Sequence, residues 1–155
     1  MRTPTDVLRY YLVLLGLVTS PDDSLAWPCY VSSMPDTPDD CVCLYDTAGV
    51  LQGRDMPTGT VAESYGVQIK LRAVDYPTGY NKLLTTCQGL DNVVTAGFNQ
   101  NLLVAQPWID SGIVYGFINA SRKSGVMAMG GEVTGSRLRG LWSANYTFLY
   151  SAEPH

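Results

Sequence analysis

The stretch YGVQIKLRAVDYPTGYNKLLTTCQGLDNVV, residues 65–94, decides how this chain folds. It opens with strict alternation: Tyr65, Val67, Ile69, Leu71 and Ala73 point one way, and Gln68, Lys70 and Arg72 the other. A period of two over this length predicts a half-buried strand with one apolar and one cationic face. Residues 75–79, DYPTG, break it, because Pro77 lacks an amide donor and Gly79 permits a turn. From Tyr80 the period becomes helical, with Tyr80, Leu83, Leu84, Cys87, Leu90 and Val94 on one stripe. A strand, a tight break and an amphipathic helix form the unit around which the other elements pack.

The chain has 155 residues, which predicts one domain over residues 1–155. Only 15% of residues are charged, yet there are ten tyrosines and three tryptophans. Such a surface suits partial coverage by other subunits, and equally a tyrosine-rich monomeric β protein. The net charge is −4 and the basic residues are scattered, which argues against a protein that grips nucleic acid by its phosphates. DNA passing nearby without being held is compatible with it. Cys29, Cys41, Cys43 and Cys87 fit neither a disulfide scaffold nor a CxxC zinc site, and Cys41 and Cys43 share one strand face as small core thiols. A reducing cytosolic compartment is favoured over an oxidising one.

The N-terminus allows two readings. Arg2, the apolar residues 8–18 and the Ser24-Leu25-Ala26 triplet resemble a signal peptide cleaved near residue 26. Asp6 and Arg9 disturb that run, and Thr3-Pro4-Thr5-Asp6 reads as a helix start with Thr5 as its cap and an end near Val18. A membrane span is excluded, since about 14 helical residues cover roughly 21 Å of a ~30 Å hydrocarbon core. Val7, Leu8, Tyr11, Leu12, Leu15 and Val18 make one stripe, while Tyr10, Val13, Leu14 and Leu17 fill the other side. A helix apolar nearly all round is buried on two sides, by its own core or by another subunit.

Strands are expected at residues 27–33 and 41–46, joined by the proline- and acid-rich MPDTPDD, and Asp46-Thr47-Ala48-Gly49 reads as a turn. Residues 51–64 lack a clear period and predict a loop or flexible hairpin. After the central helix come strands at residues 102–106 and 113–119 around a turn at 107–112, a basic turn at 121–125 and a short segment at 126–129. A flexible glycine-rich loop is expected over residues 130–140, then a last strand at 141–150 with Trp142, Ala144, Tyr146, Phe148 and Tyr150 on one face. The expected order is α-β-β-β-α-β-β-β: an α+β fold, mainly antiparallel sheet with two helices packed on it.

Chemistry is scarce. The one histidine, His155, is terminal, so no Ser-His or Cys-His pair and no nitrogen ligand for zinc stands inside the fold. The acid pairs Asp22-Asp23 and Asp39-Asp40 sit beside prolines and read as solvated turn residues. Gly130-Gly131-Glu132 lacks the spacing of a phosphate loop, and Asn145-Tyr146-Thr147 is a chance glycosylation sequon in a core strand. No catalytic, cofactor or metal site is expected.

Read in order, these pieces resemble the tail terminator (tail completion, neck or "minor capsid") proteins of tailed bacteriophages. The carriers are the apolar N-terminal helix, the strand ending in Asp46-Thr47-Ala48-Gly49, the Val67-Gln68-Ile69-Lys70-Leu71-Arg72 strand, and Asp75-Tyr76-Pro77-Thr78-Gly79-Tyr80 opening a helix that closes on Leu90-Asp91. Residues 118–124, Met129-Gly130-Gly131-Glu132 with Arg137, and the strand from Trp142 complete the series. The sequence departs from the pattern at Gly131-Glu132-Val133, in place of an acidic pair, and at Ala48, in place of a second turn glycine.

The resemblance implies a structural virion protein: a ring, usually of six subunits, on the head-proximal end of the tail tube. The ring stops tube growth, meets the head connector and passes DNA through its lumen, with assembly in the host cytoplasm, no cofactor and no membrane. On that expectation Lys70, Arg72, Arg122, Arg137 and Glu132 are candidates for ion pairs across subunits, and Tyr10 and Leu14 for apolar contact; solvated charges on strands and turns are the plain alternative. Residues 51–64 and 130–140 are expected to touch neighbouring rings. A head-completion or tail-tube subunit, and a secreted β-rich binding module lacking residues 1–26, remain the alternatives.

Overall fold

The structure, a computed structural model, describes residues 2–54, 61–95 and 108–154. In chain order its elements are α1 (Pro4–Leu14), β1 (Cys29–Val31), β2 (Cys41–Arg54), β3 (Val61–Ala73), α2 (Tyr76–Thr95), β4 (Trp108–Asp110), β5 (Ile113–Arg122), β6 (Met127–Thr134) and β7 (Arg137–Pro154). Among the described residues the seven strands form one sheet, ordered β1-β2-β3-β7-β5-β4, with β6 also on β7. β7 is the spine. It pairs with β3 along one side, from Tyr150 opposite Glu63 to Gly140 opposite Ala73. Along the other side, its first half pairs with β6 and its second half with β5. Every pairing between strands is antiparallel except β1 with β2. The expected α+β architecture, mostly sheet with two helices, is what the chain forms.

Register explains the core. Val67, Ile69 and Leu71 of β3 stand opposite Tyr146, Ala144 and Trp142 of β7, and Leu71 and Ile69 opposite Val42 and Leu44 of β2. With a period of two, all these side chains reach one face, where α1 adds Val7, Leu8, Tyr11 and Leu12 and α2 adds Leu83, Cys87 and Leu90. Each large side chain so buried contributes about 1.5–3 kcal/mol. The apolar run near the N-terminus is therefore part of the folded core. Tyr11 also donates its hydroxyl to the Tyr115 carbonyl at 3.1 Å, tying α1 to β5.

Several boundaries differ from the sequence expectation. α1 is capped by Thr3, whose Oγ1 accepts from the Asp6 amide at 3.2 Å, and not by Thr5, which is buried and donates to Asp46 at 3.0 Å. It ends at Leu14, short of Val18, and Gly16 follows with φ of 68°, a conformation glycine adopts without strain. α2 starts at Tyr76, not Tyr80: the Asp75 carboxylate accepts from the Thr78 amide at 3.0 Å and from its hydroxyl, and Pro77 is tolerated in a first turn. Those hydrogen bonds hold the Asp75 carboxyl below its ordinary range. Tyr80, expected on the buried stripe, is exposed.

Residues 46–49 form no turn. β2 runs through them with a bulge between Thr47 and Val50, and a second between Leu51 and Arg54, so 51–54 and 61–64 lengthen a β2–β3 hairpin. Residues 130–140 are likewise strand, turn and strand, because β6 and β7 pair from Thr134 opposite Arg137 to Met127 opposite Ser143. The expected turn at 107–112 contains β4, while the strand expected at 102–106 lies outside the described residues. All four cysteines are free and buried, as their type and spacing suggested. Cys41 and Cys43 face away from the helices, opposite Arg72 and Lys70.

Candidate assembly surfaces

The sheet face opposite the helices carries a strap formed by residues 35–40, and two buried arginines hold it. Arg72 donates to four main-chain carbonyls: those of Pro35 (2.6 Å), Pro38 (2.7 Å), Asp36 (3.1 Å) and Asp39 (3.1 Å). Arg139 is fully buried and reaches the Asp36 carbonyl at 2.7 Å, the carboxylates of Glu132 (2.7 Å), Asp36 (3.0 Å) and Asp39 (3.3 Å), and the Thr134 hydroxyl. Arg137 completes the group on Asp39 at 2.6 Å, and Asp40 accepts from the Val74 amide at 2.9 Å. Burial alone would lower the Arg139 pKa, but the Asp36 hydrogen bond and the charges of Glu132, Asp36 and Asp39 outweigh it and hold the guanidinium above its ordinary value. A buried charge so compensated fixes geometry: β6, β7 and the strap are locked together.

This arrangement corrects two expectations. Arg72 does not stand on an open cationic face; it is spent within the subunit and buried, so its reach to an acid of a neighbour is closed off. Asp39 is no solvated turn acid but the bridge between Arg137 and Arg139. Arg139 itself was not singled out, because Asp36 and Asp39 lie far away in sequence and its nearer partners, Glu132 and Thr134, form no motif with it.

The other candidates stay at the surface with partners of their own. Lys70 Nζ sits 5.2 Å over the Tyr45 ring. Arg122 pairs with Asp91 at 3.2 Å, and Asp91 also receives the Tyr146 hydroxyl at 3.1 Å. Arg137 and Glu132 belong to the strap lock. Tyr10 is stacked on Trp108, centroids 4.9 Å apart, so β4 covers part of the outer side of α1, and Leu14 on that side is exposed. The structure thus brings Glu132, Arg137 and Arg72 together at the strap and leaves Lys70, Arg122, Tyr10 and Leu14 apart.

Sequence reading marked only the start of β6, as a short segment at 126–129. Met127 (44% exposed), Met129 (46%) and Val133 (70%) lie on it, with Leu138 (64%) opposite Val133 on β7. Among the described residues β6 pairs only with β7, so its outer edge is bare. The alternation of methionines with alanine and glycine at 127–130 was the available signal. An exposed apolar edge strand is a place where another chain adds. Across the sheet, β1 is less open, because Thr19 bridges to Pro28 and accepts from the Cys29 amide at 3.0 Å. At that corner Leu25, Trp27, Pro28, Pro38, Asp40 and Val74 line a groove of ≈ 340 Å³. No group of three or more His, Cys, Asp or Glu side chains among the described residues is placed to hold a metal ion.

The profile of the family described as bacteriophage tail terminator protein matches residues 11–107, more than half of the chain, from within α1 past the end of α2. No curated protein matches the sequence. The chain belongs to the bacteriophage tail terminator family, a family of structural proteins of the virion tail.

Proposed function

We propose that this protein closes the head-proximal end of the phage tail tube as a ring of six subunits, stops the tube from growing, and joins it to the head connector. The family match over residues 11–107 carries the reading, and the bare β6 edge supports it by offering a surface that a second subunit would cover. A ring needs heterologous contacts that close on themselves, and a strand edge on one flank with a different surface on the other meets that need. DNA passes through the lumen without sequence-specific contact; the net charge of −4 favours passage over capture. The role is structural, with no catalysis, and assembly takes place in the host cytoplasm. The β2–β3 hairpin, with strand residues 51–54 and 61–64 beyond the core-lining segment, contacts the tube or connector ring. Adding the protein to polymerising tail-tube subunits tests the reading. Tubes should stop elongating, with the added protein at one end only; unchanged elongation would refute it.

A further inference from the structure

Arg2 ties the start of the chain to β4 and β5. Its main-chain amide donates to the Tyr115 hydroxyl at 3.0 Å. Its guanidinium donates to the Asp110 carboxylate at 2.7 Å and lies 5.7 Å over the Trp108 ring. The same ring stacks on Tyr10 of α1 and tilts against Tyr115, with centroids 4.9 and 5.5 Å away. The hydrogen bond between Arg2 and Asp110, first among the causes, holds the carboxyl below its ordinary value, and the same bond holds the guanidinium above its own. What these contacts fasten is slight. β4 is three residues long, and all three pair with β5 through a turn in which Ser111 and Gly112 have φ of 53° and 76°. Ile109 is exposed, and Trp108 is the side chain that β4 packs against the core. A cleft of ≈ 380 Å³ opens beside it, lined by Asp6, Arg9, Tyr10 and Val13 of α1 and by Pro21 and Asp22.

We infer that the N-terminal arm and β4 form a clasp over the outer side of α1, pinned by Arg2, which opens while the core stays folded and uncovers Tyr10 beside the exposed Leu14. Opening breaks a three-residue ladder, one aromatic stack and one half-exposed ion pair, whereas unfolding the sheet exposes the whole core. Segments with so few buried apolar contacts open well before the protein unfolds. An ion pair this exposed stabilises modestly and is screened by salt. The cleft gives the Trp108 ring room to swing away, and Arg2 touches Trp108, Asp110 and Tyr115 at once, so its release loosens all three. Tyr10 and Leu14 are four residues apart on one side of a helix, with Val13 next to them, so the open clasp joins them into one apolar stripe. The clasp stands or falls independently of the ring.

The test combines residue-resolved amide exchange on the full chain with nitration of Tyr10 by tetranitromethane, located by peptide mass mapping. Arg2→Ala and Asp110→Asn should each quicken exchange at residues 108–110 by about fivefold, and nitration of Tyr10 should rise in parallel. The double variant should be no faster than Arg2→Ala, since both residues act through one contact. In the parent protein, salt at about 1 M should produce the same pattern. Exchange in β3 and the thermal midpoint should stay at parent values, which separates an opening clasp from a general loss of stability. If exchange at 108–110 and Tyr10 nitration are unchanged in both variants, Arg2 pins nothing. If they rise only together with exchange in β3, β4 opens only when the protein unfolds. Either result overturns the clasp and leaves the ring untouched.

Discussion

The indole of Trp142 lies against the bare backbone of Gly79, where a β-carbon would fall 2.5 Å from the ring. The same ring presses on Gly140 of its own strand, and Tyr76 packs on it with centroids 5.0 Å apart. A glycine in the first turn of a helix costs helix propensity, about 1 kcal/mol against alanine. Here it lets α2 approach β7 closely.

Gly79→Ala should therefore destabilise the protein by about 1–3 kcal/mol, the usual effect of overpacking, although alanine is the better helix former. Urea unfolding measures it. Adding Trp142→Phe should recover part of the loss, because the smaller ring vacates the space; simple additivity of the two substitutions would contradict the packing account.

Arg72→Met should cost about 3 kcal/mol or more, since four strap carbonyls lose a charged donor at once. Arg72→Lys should recover little: an ammonium on a flexible stem does not reproduce the planar fork that reaches all four oxygens. Amide exchange in β6 and β7 should also quicken in both variants, because strap and hairpin share Asp39.

Stability should be level near neutral pH and fall in alkali. Burial pushes the Cys29 thiol from an ordinary 9.0 up to about 12 and Cys41 to about 11, and it pushes the Tyr11 phenol from 10.0 up to about 12. Burial raises Tyr146 as well. In the unfolded chain these groups release protons at their ordinary values, while the folded protein retains them. The stabilising difference is thus whole below about pH 9 and drains away up to about pH 12, by about 1.4 kcal/mol per pH unit for each deprotonating group. Denaturant midpoints across pH 7–11 check this; a flat profile would contradict it. The same burial predicts that none of the four thiols reacts with an alkylating reagent until the protein unfolds.

Replacing residues 51–63 with a two-residue turn should leave the thermal midpoint within a few degrees, because the core-lining pairings of 41–47 with 66–72 lie outside the deletion. Complementation of a phage lacking the protein should nonetheless fail. Full assembly with the shortened hairpin would remove it from the proposed tube or connector contact.

Much of this fold is legible in the sequence where periodicity is the determinant. The β3 faces follow from alternation at residues 65–73, and the β7 core face from Trp142 to Phe148. What was misread are residues whose local preference is overruled by a distant partner. Gly79 and Pro77 look like breakers, but Trp142 requires the first and a first helical turn accepts the second. Gly49 looks like a turn former, yet it is where β2 and β3 approach across a bulge; a β-carbon on it would lie 2.6 Å from the Ser64 carbonyl. Arg72 looks solvated because nothing in its neighbours announces that residues 35–39 fold back over it. The bare edge of β6 was hidden by its glycines, which read as loop.

Light scattering of the purified protein, alone and then with tail tubes, reads the ring itself. Either a closed ring near six subunits is expected, or a monomer that becomes a ring only on tube ends. A persistent monomer indifferent to tubes would contradict both.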